Sequence, residues 1–233
     1  MGINKTILEI NCTAAQYFSD CLSGPEGKKA VDFLKDHGIS PAIVEKFGIG
    51  FAPDYRDALC DAMKEKGCAR MELVKAGLAV REKMGDKFYD KFRNRVMFPI
   101  SDVNGGIVAF TGRRIDDEGA VWLNSVDTPV FHKDRDVFAL SLARQAKTER
   151  LILVESVMDV IALHQAGFED AVSVLGVNLT REHAKLMASC AKNVVIVYDS
   201  DSLGKSTSDA AVPILESTGI TVKAICLEGA GDP

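Results

Sequence analysis

From residue 151 to residue 227 the chain alternates short, wholly apolar runs with amphipathic stretches of about three turns. Residues 151–154, 171–175, 193–198 and 221–227 read as strands. Residues 157–166, 180–191 and 204–217 read as helices. Gly167 and Gly219 close two of these helices, and Thr180 is the residue type that opens one. Strands that lack polar alternation are buried on both faces, so this pattern predicts a parallel sheet covered by helices on either side.

The first eighty residues predict mostly short helices. Ala30, Val31, Phe33 and Leu34 share one helical face, and Gly38 ends that helix. Ser40-Pro41 restarts it, with a capping residue ahead of a proline at the first helical position. Asp54 is read as the cap of a helix reaching Gly67, and a shorter helix spans Arg70 to Gly77. From about Tyr89 the pattern turns strand-like. Residues 96–100 and 107–110 are strand candidates, and Asn104-Gly105 between them marks a hairpin. The class expected is therefore α/β, with a mixed α+β subdomain over residues 1–133 and the strand–helix repeat in residues 134–233.

With 233 residues, 47% of them hydrophobic, the chain can bury a sizeable core. No apolar run approaches the roughly 20 residues that span a bilayer, and the start, Met1-Gly2-Ile3-Asn4-Lys5, is unlike a signal peptide. The six cysteines form no Cys-x-x-Cys pair, so neither a zinc site nor a disulfide framework is expected. These features predict a cytoplasmic protein without membrane contact. The net charge of −5 hides an asymmetry: residues 81–114 hold eight Lys/Arg against four Asp/Glu, and residues 151–233 hold five against eleven. A basic segment paired with an acidic one suits an enzyme of polyphosphates or nucleic acids, although solvated surfaces explain either half alone.

The candidate chemistry sits where apolar strands end in carboxylates. Glu155 follows 151–154, and Asp199 and Asp201 follow 193–198. Open parallel sheets bind ligands outside the carboxyl ends of their strands. If these two strands are neighbours, the three carboxylates converge; the sequence does not establish that adjacency. Any one acid there also reads as a helix cap or turn closure, whereas the three together favour a hard divalent ion such as Mg²⁺. Asp159, four residues after Glu155, reads equally as an outer metal ligand or as a favourable charge in a first helical turn. Gly204-Lys205-Ser206 is no phosphate loop, because Asp199 stands where that motif needs glycine. Lys91, Arg93 and Arg95 precede one strand, Arg113 and Arg114 end another, and Lys133 follows His132 in a loop. These are candidate phosphate contacts, each of which alone also reads as a surface charge. No two of the four histidines have metal-ligand spacing.

At these residues the chain closely resembles the RNA-polymerase core of bacterial DnaG-type primases, which contains a Toprim fold. Phe47-Gly48-Ile49-Gly50-Phe51-Ala52-Pro53 and the run from Tyr89 to Ile100 (Tyr-Asp-Lys-Phe-Arg-Asn-Arg-Val-Met-Phe-Pro-Ile) resemble signatures of its first subdomain. Leu123-Asn124-Ser125 and Phe131-His132-Lys133 match the stretch leading into Toprim. Val154-Glu155-Ser156-Val157-Met158-Asp159 and Tyr198-Asp199-Ser200-Asp201 are similar to the two acidic Toprim motifs, and Gly231-Asp232-Pro233 to the third. The acids are shared with topoisomerases and some nucleases. The basic strand motif is what singles out primases.

The resemblance implies that Glu155, Asp199 and Asp201 hold Mg²⁺ or Mn²⁺ and are catalytic, with Asp159 and Asp232 supporting. It implies that Lys91, Arg93, Arg95, Arg113 and Lys133 hold template or nucleotide phosphates. The implied activity is synthesis of RNA primers from NTPs on single-stranded DNA at the replication fork. A zinc ribbon has no counterpart here, and a replicative helicase is expected to bind only through a region beyond Pro233, so a core fragment is expected. The chain departs from the family pattern at Ser156-Val157, where Gly-Tyr is usual and the glycine suggests close backbone approach. It departs also at Val121, where a basic residue is usual, and at Ser202-Leu203. Two other readings stay open: a Toprim nuclease, and a catalytically reduced module that binds single strands or replisome proteins.

Overall fold

The computed structural model describes residues 3–83, 87–116, 118–176, 178–198 and 202–225. The chain divides into two compact units. The first comprises Met1–Ile100 with Gly106–Phe131, and the second Ser101–Gly105 with His132–Pro233.

The first unit opens with α1 (Ile3–Ser23), much longer than the short helices expected there. Ile7, Ile10, Ala14 and Phe18 recur at three- and four-residue steps and are all buried, so one continuous stripe faces the core. After a 3₁₀ turn at Pro25–Gly27 come α2 (Lys28–Asp36) and α3 (Pro41–Phe47). Ser40 is extended ahead of Pro41, and Gly48 ends α3 in the left-handed region at φ 62°. That turn lets Ile49 N–H reach the Val44 carbonyl at 2.9 Å.

The strand β1 (Gly50–Ala52) then lies against α1 so closely that a Cβ on Gly50 would fall 2.5 Å from Phe18 Cβ. Next come α4 (Ala58–Glu65), α5 (Arg70–Lys75) and the antiparallel ribbon of β2 (Ala79–Arg81) with β3 (Phe88–Asp90). Asp54 does not cap α4, which begins at Ala58. The carboxylate that reaches its first turn comes from Asp90 at the end of β3, accepting Leu59 N–H at 2.7 Å and Cys60 N–H at 3.0 Å.

The strands β4 (Arg95–Ser101) and β5 (Ile107–Arg114) are hydrogen-bonded neighbours, and the connection between them is too short for a crossover, so they form the expected hairpin. With β6 (Trp122–Asn124) the sheet runs β1-β4-β5-β6. Phe110 and Met97 face α1, where Phe110 meets Phe18 edge-on at 5.4 Å. The buried amide of Asn11 on α1 donates to the Val108 carbonyl at 2.8 Å.

The second unit holds β7 (Val137–Phe138), α6 (Leu140–Gln145), β8 (Arg150–Val154), α7 (Val157–Gln165), β9 (Ala171–Val174), α8 (Arg181–Ala188), β10 (Asn193–Val197), α9 (Ser202–Glu216) and β11 (Thr221–Ile225). Its sheet runs β11-β10-β8-β9-β7, with β7 antiparallel to β9 and the other pairs parallel. Leu151, Leu153, Val172, Val174, Val194 and Ile196 point into one core with Leu140, Ala184, Met187, Ala211 and Leu215 from α6, α8 and α9. Ile152, Val154 and Ala171 are buried outside that cluster, as are Val157, Val160 and Ile161 of α7. Helices thus cover both faces, and this unit is an α/β layer preceded by a mixed unit, as expected.

Candidate metal centre and phosphate-binding residues

The chain leaves β8 toward β9 on one side and returns, through α8, to lay β10 on the other. The gap between β8 and β10 is therefore the switch point of the sheet, where the two connections diverge and leave a crevice at the carboxyl ends. The strands pair in parallel with Val154 opposite Val197, which sets Glu155 beside Tyr198. Glu155 is half-buried and Tyr198 is buried. Burial first, and then the negative charge of Glu155, push the Tyr198 hydroxyl far above its ordinary range. Asp199, Asp201 and Asp232 lie outside the described residues.

Ser156 is extended (φ −121°, ψ 160°), a conformation open to any L-residue, and it caps α7. Its hydroxyl accepts Asp159 N–H at 3.2 Å, while Asp159 Oδ2 accepts Ser156 N–H at 2.8 Å. This reciprocal box gives Ser156 a capping role at the start of α7, and it engages one oxygen of Asp159. The donors described at this edge are hard oxygens, the kind that Mg²⁺ or Mn²⁺ takes.

The basic residues of the first unit differ in setting. Arg93 is exposed. Lys91 is half-buried, its Nζ 5.9 Å from the Phe92 ring centroid, and burial lowers its ammonium below the usual range. Arg113 pairs across the sheet with Trp122, and its guanidinium lies 5.6 Å from that ring and 5.5 Å from Phe33. Arg95 is buried. Its Nη1 donates to the carbonyls of Gly112 and Val121 at 3.1 and 2.9 Å, and its Nη2 to Ala120 at 2.8 Å. Three of its five N–H donors are thus committed to backbone carbonyls. Gly112 leaves room for the Arg95 stem, since a Cβ there would stand 3.0 Å from Arg95 Cδ. Val121 is half-exposed and offers only its carbonyl to this group.

Lys133 belongs to the second unit and is exposed on the segment 132–136 that enters β7. Because β7 runs antiparallel to β9, with Val137 opposite Val174, that segment lies at the carboxyl edge of the sheet, the edge that carries Glu155. Two residues at the start of α8 hold it. His183 Nδ1 accepts Thr180 N–H at 3.1 Å, which leaves the ring proton on Nε2, and Nε2 donates to the Lys133 carbonyl at 3.1 Å. The Thr180 hydroxyl accepts His183 N–H at 3.1 Å and donates to the Asp134 carbonyl. His183 and Asp90 were not singled out in the sequence: each acts on backbone about 30 to 50 residues away, a distance that no local pattern marks.

Two family models match the chain. The DNA primase catalytic core, N-terminal domain, covers residues 17–144, and a Toprim-like model covers residues 152–233. A DNA primase of Clostridium acetobutylicum is 37% identical over 97% of this chain and 38% of its own length. One from Deinococcus radiodurans is 36% identical over 99% of this chain and 40% of its own. The chain thus spans about two fifths of these relatives. Among solved structures, a DnaG primase catalytic domain bound to ssDNA superposes with a TM-score of 0.89 at 32% identity, covering 98% of this chain and 73% of that one. A DNA primase domain from Pseudomonas aeruginosa gives 0.89 at 35% identity, covering 97% and 73%. The basic strand motif, the switch point at Glu155 and these matches agree, and the chain belongs to the DnaG-type DNA primase catalytic-core family.

Proposed function

We propose that this chain carries out template-directed synthesis of short RNA primers on single-stranded DNA by metal-dependent nucleotidyl transfer, in the cytoplasm at the replication fork. The observation that carries the reading is the in-register pairing of β8 with β10 at the switch point, which sets Glu155 beside the residue that precedes Asp199. Glu155, Asp199 and Asp201 are the proposed holders of Mg²⁺ or Mn²⁺, with Asp159 and Asp232 supporting. When bound, the metal would offset negative charge on the attacking and leaving oxygens. The primer 3′-hydroxyl gives up its proton to solvent as its oxygen bonds to the α-phosphorus of the incoming NTP; the bond from that phosphorus to the pyrophosphate bridge breaks, and pyrophosphate leaves.

The protein's own part is to place charge. Arg93, Lys91 and Arg113 are the proposed template and nucleotide contacts of the first unit, with the Arg113 guanidinium lying over the Phe33 and Trp122 rings. Lys133 is proposed to meet nucleotide phosphate from the carboxyl edge of the second unit. For Arg95 the favoured role is to hold the 120–121 turn against β5, because three of its five donors already serve carbonyls there and it is buried.

The test is primer synthesis from labelled NTPs on single-stranded template with Mg²⁺ or Mn²⁺, where RNA products are expected. The pair Asp199→Asn with Asp201→Asn should lose both product and divalent-metal affinity; unchanged metal affinity would sink the site. Strand binding without synthesis would replace this reading with that of a binding module.

A further inference from the structure

We infer that His183 is a positioning residue that sets Lys133 for phosphate binding, by clamping the backbone of segment 132–136 onto the first turn of α8. The inference rests on the proposed role of Lys133 and extends it to a residue that touches no substrate.

The geometry supports a dedicated clamp. His183 is 1% exposed, and both ring nitrogens are engaged, Nδ1 as acceptor and Nε2 as donor. A buried imidazole with a single tautomer is a rigid two-ended link, because reversing either hydrogen bond would set donor against donor or acceptor against acceptor. One end is anchored on Thr180, the N-cap of α8, whose hydroxyl takes the neighbouring Asp134 carbonyl. The other end takes the carbonyl of Lys133 itself. Two consecutive carbonyls of the segment are therefore fixed from one helix start. Inside the segment, Asp136 Oδ2 accepts His132 N–H at 2.8 Å, and Arg135 N–H and Asp136 N–H both return to the His132 carbonyl. The segment is a closed turn held from outside at its middle. The Lys133 stem leaves that fixed point, so its ammonium reaches outward from a set position at the edge that carries Glu155. Fixing the backbone beneath a flexible lysine lowers the entropy lost when it binds an anion.

The test compares Lys133→Ala, His183→Phe, His183→Gln and the double variant Lys133→Ala/His183→Phe in the whole chain. Readouts are titration with a fluorescent ATP analogue in Mg²⁺ and the KM and kcat for NTP in primer synthesis. Phenylalanine keeps the ring volume and removes both links, while glutamine retains a donor for the Lys133 carbonyl. His183→Phe should raise the nucleotide Kd and KM about fivefold, the effect of one lost neutral hydrogen bond, with kcat at saturation within about twofold. The effect should vanish in the Lys133→Ala background and be partly rescued in His183→Gln. If His183→Phe does not fold, Thr180→Ala, which frees the Asp134 carbonyl, carries the same expectation. Wild-type affinity in His183→Phe, with Lys133→Ala weakened, overturns the inference and leaves the role of Lys133 standing. Wild-type affinity in both variants overturns the two together.

Discussion

Single residues in this chain do work that their sequence neighbours do not reveal. Asp90 is 4% exposed, yet it accepts two backbone N–H groups at the start of α4, and burial pushes its carboxyl upward even as those donors pull it down. Replacing it with alanine would strand two buried donors. We expect Asp90→Ala to lower stability by about 2–4 kcal/mol, read from urea denaturation, with Asp90→Asn falling between it and wild type. His183 makes a pH-dependent contribution. Burial, acting first, holds its pKa below the ordinary value of 6.5, against the opposing pull of Asp134 and Asp136. Its stabilisation is complete above 6.5 and is lost as pH falls through the lowered value. The stability difference between wild type and His183→Gln should therefore narrow from pH 8 to pH 5; a constant gap would contradict the neutral clamp.

At the scale of elements, the junction between β8 and α7 gives Ser156 a structural role. Ser156 is extended and supplies the cap that α7 needs, in a box closed by Asp159. Ser156→Ala should cost about 1 kcal/mol, and Ser156→Gly only a few tenths, as measured by thermal or urea unfolding. A Ser156→Ala variant as stable as wild type would mean that the cap contributes little. The apolar runs of the second unit announced their elements in sequence because strands buried on both faces cannot alternate with polar residues. In the first unit, β1, β2, β3 and β6 span three residues each, too few for a period-two signal to emerge. The helix α1 carries a regular stripe from Ile7 to Phe18, but Asn11, buried within it, breaks the apolar reading; it is there to bond the Val108 carbonyl.

For the whole molecule, charge and chemistry divide between the two units. The first presents Arg93 and the stacked Arg113, and the second presents Glu155 at its switch point. On the proposed function, Glu155→Gln should cut primer synthesis about a hundredfold or more while changing affinity for single-stranded DNA by less than about threefold, as followed by fluorescence anisotropy. An equal loss of both would show that Glu155 supports strand binding or folding instead. Among the described residues no helix is long and apolar enough to cross a membrane.

The sequence by itself determined the α/β class, the hairpin at Asn104-Gly105 and the carboxylates at strand ends, because these depend on local periodicity and turn chemistry. The order of strands was not legible there, since nothing in 151–154 or 193–198 says that the later run returns past β8 instead of adding beyond β9. Tertiary structure alone decided that β8 and β10 are neighbours, which sets Glu155 beside Tyr198 at the switch point of the sheet. It also sorted the arginines, committing Arg95 to carbonyls and Arg113 to two aromatic faces. Sequence shows a charge but not what surrounds it, and only the fold sets whether a guanidinium meets backbone, ring or solvent.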